Sequence, residues 1–258
     1  MLKFGTDGVR GEFGTDLTTS YVAALARAAA KVLQCKLVVI GRDTRESGPA
    51  LEAAISQSLS SLGIEVHLMG VAPTPAIAFA AASSEAVSFA ITASHNPYTD
   101  NGVKIFGRGG RKLTDEQESQ IEIETEIELA SEASREEIMT SSKSLATSHP
   151  EYLERYCAAL VAGVPKNALA KLHIALDCAN GAMSEVASAV FAGLGAKVSA
   201  IHNSPNGKNI NHHCGATDPS ELKVLVKKIK ADLGVAFDGD GDRLIAIDDS
   251  GSIVDGDH

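Results

Sequence analysis

Apolar residues along this chain fall into short β-branched runs, separated by longer stretches in which they recur at helical spacing. Tyr21 to Leu33 is alanine-rich with a helical period, and Leu37-Val-Val-Ile40 has the length and branching of a buried strand. Leu51 to Leu62 predicts a helix, Ile64 to Leu68 a strand, Pro75 to Ala82 a helix and Ala86 to Ile91 a strand. Such alternation implies parallel strands joined by helical crossovers. Gly107-Arg-Gly-Gly110 reads as a turn, and Thr114-Asp-Glu-Gln117 has the spacing of a capping box that starts another helix. Ile121 to Leu129 alternates isoleucine with glutamate as a strand would. Glutamate is a good helix former, however, and Ile123, Ile127 and Ala130 share one helical face, so a helix with a solvated acidic side is expected.

The polar, small-residue stretch from Ser141 to Ser148 reads as a boundary. Beyond it the pattern restarts, with a helix from Pro150 to Val161, a strand from Leu172 to Asp177, a helix from Ala182 to Leu194 and a strand from Lys197 to Ile201. Leu233 to Phe237 and Leu244 to Ile247 are strand-like as well. A faint repeat links the halves: a helix ending in Gly63 feeds the strand Ile64–Leu68, and one ending in Gly195 feeds Ala196–Ile201. The expectation is an α/β protein of two related three-layer α/β/α domains with mostly parallel mixed sheets, spanning 1–145 and 146–258.

With 44% hydrophobic and 22% charged residues, the chain can bury a core in each half. A net charge of −10 argues against general binding of nucleic acid or an anionic membrane, although a small phosphorylated ligand responds to local charge instead. No apolar run reaches membrane-spanning length, and Met1 to Asp7 lack the apolar core of a signal peptide. The four cysteines, Cys35, Cys157, Cys178 and Cys214, form no CxxC pair and read as unpaired thiols in a reducing, cytoplasmic compartment.

Candidate chemistry gathers at two places. Asp238-Gly239-Asp240-Gly241-Asp242-Arg243 sets three carboxylates at every second position, where an extended backbone directs them to one side. The intervening glycines let the chain bend around an ion, and an all-oxygen donor set suits a hard cation such as magnesium. Asp-Gly pairs are also ordinary hairpin-turn residues. An EF-hand is excluded, because Arg243 occupies the position that needs glycine and the flanks are strand-like. The second place follows the strand ending at Ile91: Thr92-Ala-Ser94-His95-Asn96-Pro97, then Asp100-Asn-Gly-Val-Lys104. Loops at the carboxyl ends of parallel strands commonly carry function. Adjacent serine and histidine make a poor nucleophile–base pair, and no Gly-x-Ser-x-Gly elbow is present.

Together with Phe4-Gly-Thr-Asp-Gly-Val-Arg10-Gly, these two segments resemble the signatures of the α-D-phosphohexomutases, in the family's order and across nearly the whole chain. Gly41-Arg-Asp-Thr-Arg-Glu-Ser-Gly48 and Asn209-Ile-Asn-His-His-Cys-Gly-Ala-Thr217 are most like those of members that act on glucosamine phosphates. The resemblance implies that Ser94 carries a phosphoryl group and exchanges it with a sugar phosphate through a bisphosphorylated intermediate. Glucosamine 6-phosphate and glucosamine 1-phosphate would thereby interconvert, toward UDP-N-acetylglucosamine and cell-wall precursors. It further implies one Mg2+ held by Asp238, Asp240, Asp242 and a phospho-Ser94 oxygen, with Arg10, Lys104 and Arg243 supplying positive charge and His95 hydrogen-bonding in the same site. A phosphomannose or phosphoglucose mutase, or a non-catalytic metal- and phosphate-binding module, is the alternative. The expected partner is a small sugar phosphate, with no nucleic acid or membrane, and the assembly a monomer or homodimer. The family has four domains and the chain matches the first two, so little turnover is expected from it alone.

Overall fold

The computed structural model describes residues 2–5, 7–132 and 145–254. Its elements run β1 (Val9–Glu12), α1 (Thr19–Val32), β2 (Leu37–Arg42), α2 (Gly48–Ser61), β3 (Glu65–Val71), α3 (Thr74–Ser84), β4 (Val87–Ile91), β5 (Asp100–Gly107), β6 (Arg111–Lys112), α4 (Asp115–Glu132) and β7 (Ala146–Ser148). The second half continues with α5 (Glu151–Ala162), β8 (His173–Asp177), α6 (Met183–Gly193), β9 (Lys197–Ile201), α7 (Ser220–Ile229), β10 (Leu233–Phe237), β11 (Leu244–Asp248) and β12 (Ile253–Val254).

Two mixed sheets form. The first runs β1-β5-β4-β2-β3-β7, with β6 attached to β5. Its β4-β2-β3-β7 portion is parallel, as the helical crossovers demand, and β5 and β1 add antiparallel pairs on one side. The second runs β12-β11-β10-β8-β9, parallel from β10 to β9 and antiparallel beyond β10. Leu25, Leu51, Leu59, Ile121 and Phe89 lie in the core between the first sheet and α1, α2 and α4, while Ala76, Ile77, Ala80 and Tyr152 pack on the opposite face. Val186 and Leu176 pack on the α6 face of the second sheet, and Leu222, Val226 and Ala236 on the α7 face. Each half is therefore a three-layer α/β/α unit. Helix α5 serves both, since Leu153 and Tyr156 pack against the cores of the two halves.

The repeated helix–glycine–strand signal has a conformational basis: Gly63 and Gly195 both adopt positive φ, at 75° and 93°. The capping box is also present, with Thr114 N donating to Gln117 Oε1 at 3.0 Å and Gln117 N to Thr114 Oγ1 at 3.2 Å. Three expectations need revision. The predicted apolar face of α4 is turned outward: Ile123 and Ile127 are 58% and 53% exposed, whereas Ile121 and Thr125 are buried. The acids that were expected in solvent instead meet α1, where Glu128 pairs with Arg27 at 2.7 Å and Glu124 with Lys31. Asp100–Lys104, expected in a loop, lies in strand β5, and α7 forms where the sequence reading places no element. The boundary stretch lies outside the described residues from 141 to 144; its remainder forms β7, which hydrogen-bonds to β3 in the first sheet. Among the described residues no helix is long and apolar enough to cross a membrane.

Candidate active site

The carboxyl ends of the parallel strands in both sheets point at a common seam. Strand β4 delivers Ser94, β3 leads into Thr74, and β10 leads into Asp238. Ser94 is buried and holds φ at 52°, a left-handed conformation that costs a non-glycine residue. Several contacts hold it there. Its N–H donates to Thr92 Oγ1 at 2.9 Å, and that hydroxyl in turn donates to Asp43 Oδ2 at 2.7 Å. Its carbonyl accepts from Asn211 Nδ2 at 2.8 Å and from Arg45 Nη2 at 3.3 Å. Arg45 is itself fully buried, paired with Asp43 at 2.5 Å, and also binds the Asn96 and Asp100 carbonyls.

The strained loop places the Ser94 hydroxyl between opposite charges. Oγ donates to Asp238 Oδ2 at 2.6 Å and accepts from Arg243 Nη2 at 2.7 Å. Only glycine permits this approach: a Cβ at Gly239 would stand 2.6 Å from the Ser94 carbonyl oxygen and 2.7 Å from Asn211 Nδ2. Asp240 Oδ2 accepts from Thr74 Oγ1 at 2.5 Å and from Lys104 Nζ at 2.7 Å, and Lys104 reaches Asp242 Oδ2 at 2.7 Å as well. Arg243 donates also to His95 Nδ1 at 2.5 Å, which requires a lone pair on that nitrogen. Arg10 lies 3.1 Å from Asp7, and its charge reaches His95.

The sequence-predicted residues Arg10, Ser94, His95, Lys104, Asp238, Asp240, Asp242 and Arg243 thus share one neighbourhood. Thr74 lies outside the motifs read from the sequence, whereas Asp43, Arg45, Thr92 and Asn211 lie inside them without an assigned role. For Asp43 and Arg45 a signal existed, because opposite charges two residues apart directly after the apolar run Leu37–Ile40 sit at a strand's carboxyl end. Nothing local distinguishes Thr74.

Electrostatics separate the acids. Burial, reinforced by the charge of Asp240, pushes the Asp238 carboxyl up to about 6. Burial opposes ionisation of Asp240 too, but Lys104 outweighs it and holds that carboxyl below the usual range. For Lys104, burial works against the ammonium and the two aspartates prevail, so its pKa is raised. Burial, then Arg243 and Arg10, lower the pKa of His95, in keeping with its acceptor role.

One oxygen from each of Asp238, Asp240 and Asp242 lies within 4.8 Å of the others, a group that could hold a metal ion. Asp240 Oδ1 provides a test of fit, being buried without a hydrogen-bond partner. A hard divalent cation is the partner such an oxygen lacks. Cavities of about 340 Å³ and 280 Å³ flank the group, one lined by Lys104, Thr74 and Asp242 and the other by His95, Asp238 and Arg243. A ligand can therefore reach the seam.

Comparison with known proteins matches the chain in two blocks. Residues 1–132 match the model for phosphoglucomutase/phosphomannomutase alpha/beta/alpha domain I, and residues 151–251 that for domain II. Phosphoglucosamine mutase of Acinetobacter baylyi is 45% identical over 267 residues, covering 100% of this chain and 59% of the relative. The Desulforudis audaxviator protein of that name is also 45% identical, over 270 residues, covering 99% of this chain and 57% of the relative. Among solved structures, a phosphoglucomutase/phosphomannomutase family protein from Burkholderia thailandensis superposes with a TM-score of 0.80 at 26% identity, over 98% of this chain and 57% of that one. Aspergillus fumigatus N-acetylphosphoglucosamine mutase, solved with GlcNAc-6P and magnesium, shares the fold at a TM-score of 0.54 and 18% identity, over 98% of this chain and 52% of that one. The chain spans under two thirds of the length of these curated relatives.

Proposed function

Because the chain belongs to the phosphoglucomutase/phosphomannomutase family, we propose that it forms the phosphoryl-carrying and metal-binding part of a phosphoglucosamine mutase. The glucosamine assignment rests on the name shared by relatives 45% identical to it. The observation that carries the mechanism is the Ser94 hydroxyl, bonded at once to a carboxylate and a guanidinium. Ser94 Oγ attacks phosphorus of glucosamine 1,6-bisphosphate while the bond from that phosphorus to the sugar oxygen breaks. The hydroxyl proton has an acceptor 2.6 Å away in Asp238 Oδ2, and the departing sugar oxygen takes up a proton. In the return direction a sugar hydroxyl attacks phospho-Ser94, and reorientation of the bisphosphate between the two steps moves the phosphoryl group between O6 and O1.

Phosphoryl transfer asks mainly for positioning and charge stabilisation. Arg243 supplies a guanidinium directly at Oγ, and Lys104 balances Asp240 and Asp242. Asp238, Asp240 and Asp242 would hold a magnesium ion, which when bound polarises phosphoryl oxygens as a Lewis acid. His95, uncharged and exposed beside Arg243, orients that guanidinium. Incubation with glucosamine 1,6-bisphosphate followed by phosphopeptide mapping tests the assignment. A single modification at Ser94, lost in Ser94→Ala, is expected; label that survives in Ser94→Ala overturns it.

A further inference from the structure

A second cluster of donor side chains lies at the carboxyl ends of β8 and β9, apart from the Ser94 seam. Asp177 ends β8, His202 directly follows β9, and Cys214 precedes the 3-10 turn Gly215–Thr217. One donor atom from each lies within 4.8 Å of the other two. Asp177 and Cys214 are completely buried, and the His202 side chain is one-fifth exposed. His202 holds φ at 48°, so its placement is a strained one.

Orientation sets this cluster apart from an ordinary polar network. His202 Nδ1 stands 3.0 Å from Asp177 Oδ2 and is buried, yet it makes no hydrogen bond. Its other nitrogen, Nε2, faces the Glu221 carboxylate at 3.2 Å. In the tautomer whose N–H faces Glu221, the Nδ1 lone pair is directed at the Asp177 carboxylate oxygen. Two acceptors so close repel unless a proton or a metal cation lies between them, and an ion bound there takes the proton's place. Histidine ligands of metals are commonly oriented in this manner, by a carboxylate on the far nitrogen. Two ligands at ~2.0–2.1 Å from a tetrahedral zinc ion are themselves ~3.3 Å apart, close to the spacing found here.

The other two donors suit the same ion. The Asp177 carboxylate is held in place by the N–H groups of Ala179 and Gly215, each at 2.9 Å. Cys214 Sγ is approached only loosely, by Asn180 Nδ2 at 4.0 Å, and as a buried thiol it gives up its proton when it ligates an ion. We propose that Asp177, His202 and Cys214 form a second metal site, selective for a transition-metal ion of the zinc type. Thiolate, imidazole and carboxylate together favour such an ion over magnesium, the opposite of the three-aspartate group. Bound there, it closes the loop from 202 to 214, whose Asn211 grips the Ser94 carbonyl.

Cobalt(II), titrated in the presence of excess magnesium to fill the three-aspartate group, provides the probe. A thiolate-to-cobalt charge-transfer band should grow in the near ultraviolet, saturate at about one ion per chain and disappear when zinc is added. Cys214→Ser should abolish the band, and Glu221→Ala should weaken binding about tenfold through the lost orientation of His202. Asp240→Asn should leave the band unchanged. Should Cys214→Ser fail to fold, His202→Gln decides, with a loss of at least about tenfold in cobalt affinity expected. No band, a band that persists in Cys214→Ser, or unaltered affinity in His202→Gln overturns the site.

Discussion

Asp238 and Asp240 stand two positions apart and titrate in opposite directions, because Lys104 reaches one and not the other. For Asp238 the folded value, about 6, exceeds the ordinary 3.8. The folded protein therefore holds that proton more tightly than the unfolded chain. Its stabilising contribution is complete below about pH 4 and is lost as pH rises through about 6. Metal-free Asp238→Asn should consequently be the more stable protein at pH 7.5, by on the order of 2 kcal/mol, with no advantage at pH 4. Thermal melts across that range, with chelator present, check the sign; a constant difference at all pH values would contradict it. The same proton competes with a cation. Magnesium affinity measured by calorimetry should be flat above about pH 7 and fall roughly tenfold per pH unit below about 6, while Asp240→Asn lowers it throughout. The acids were legible in the sequence because Asp-Gly alternation itself sets their geometry. Thr74 was not, and the segments that hold Arg45 and Asn211 stood out without their roles, since each role appears only when loops distant in sequence meet: 166 positions separate Thr74 from Asp240 and 117 separate Asn211 from Ser94.

Helices and parallel strands were legible wherever one face alone is buried, because periodicity then reports burial directly. Helix α4 shows where that rule weakens. Isoleucine and glutamate alternate along it, so two helical faces carry comparable apolar content, and the neighbouring helix decides between them. Helix α1 presents Arg27 and Lys31, which draw Glu128 and Glu124 inward and leave Ile123 and Ile127 outside. Strand β5 is not legible for a related reason. Its interior includes Asn101 and Lys104, polar groups that are buried because Ser47 and the aspartates satisfy them. The orientation of α4 is open to a direct test by urea denaturation. Ile121→Ala, at a completely buried position, should cost about 2–5 kcal/mol, whereas Ile123→Lys should stay within about 0.5 kcal/mol of wild type. Comparable losses at both positions would mean that both faces are packed.

On the scale of the molecule, the seam is where neither half suffices. The loop 238–243 belongs to the second sheet, yet Ser94, Thr74 and Lys104, which bind its acids, come from the first. Geometry at the metal-binding group therefore depends on how the halves are set against each other, and contacts other than those of the carboxylates help fix that setting. Thr44 Oγ1 donates to the Asn180 carbonyl at 2.6 Å, Glu46 N to the Gly207 carbonyl at 3.0 Å, and Thr74 N to the Asp240 carbonyl at 2.9 Å. Thr44 touches none of the three aspartates through its hydroxyl, which makes it a clean probe. Thr44→Val keeps the shape and removes one hydrogen bond, leaving a carbonyl unpaired at a cost of about 1–3 kcal/mol. If the halves were independently rigid, that loss would appear in thermal stability and magnesium affinity would not change. With the acids held from both sides, a loosened seam lets Lys104 and Thr74 drift from Asp240, and affinity should fall several-fold although every ligand is intact. Calorimetry and a melting curve on the same samples separate the outcomes. A lower melting temperature with unchanged magnesium affinity would place the metal group wholly within the second half.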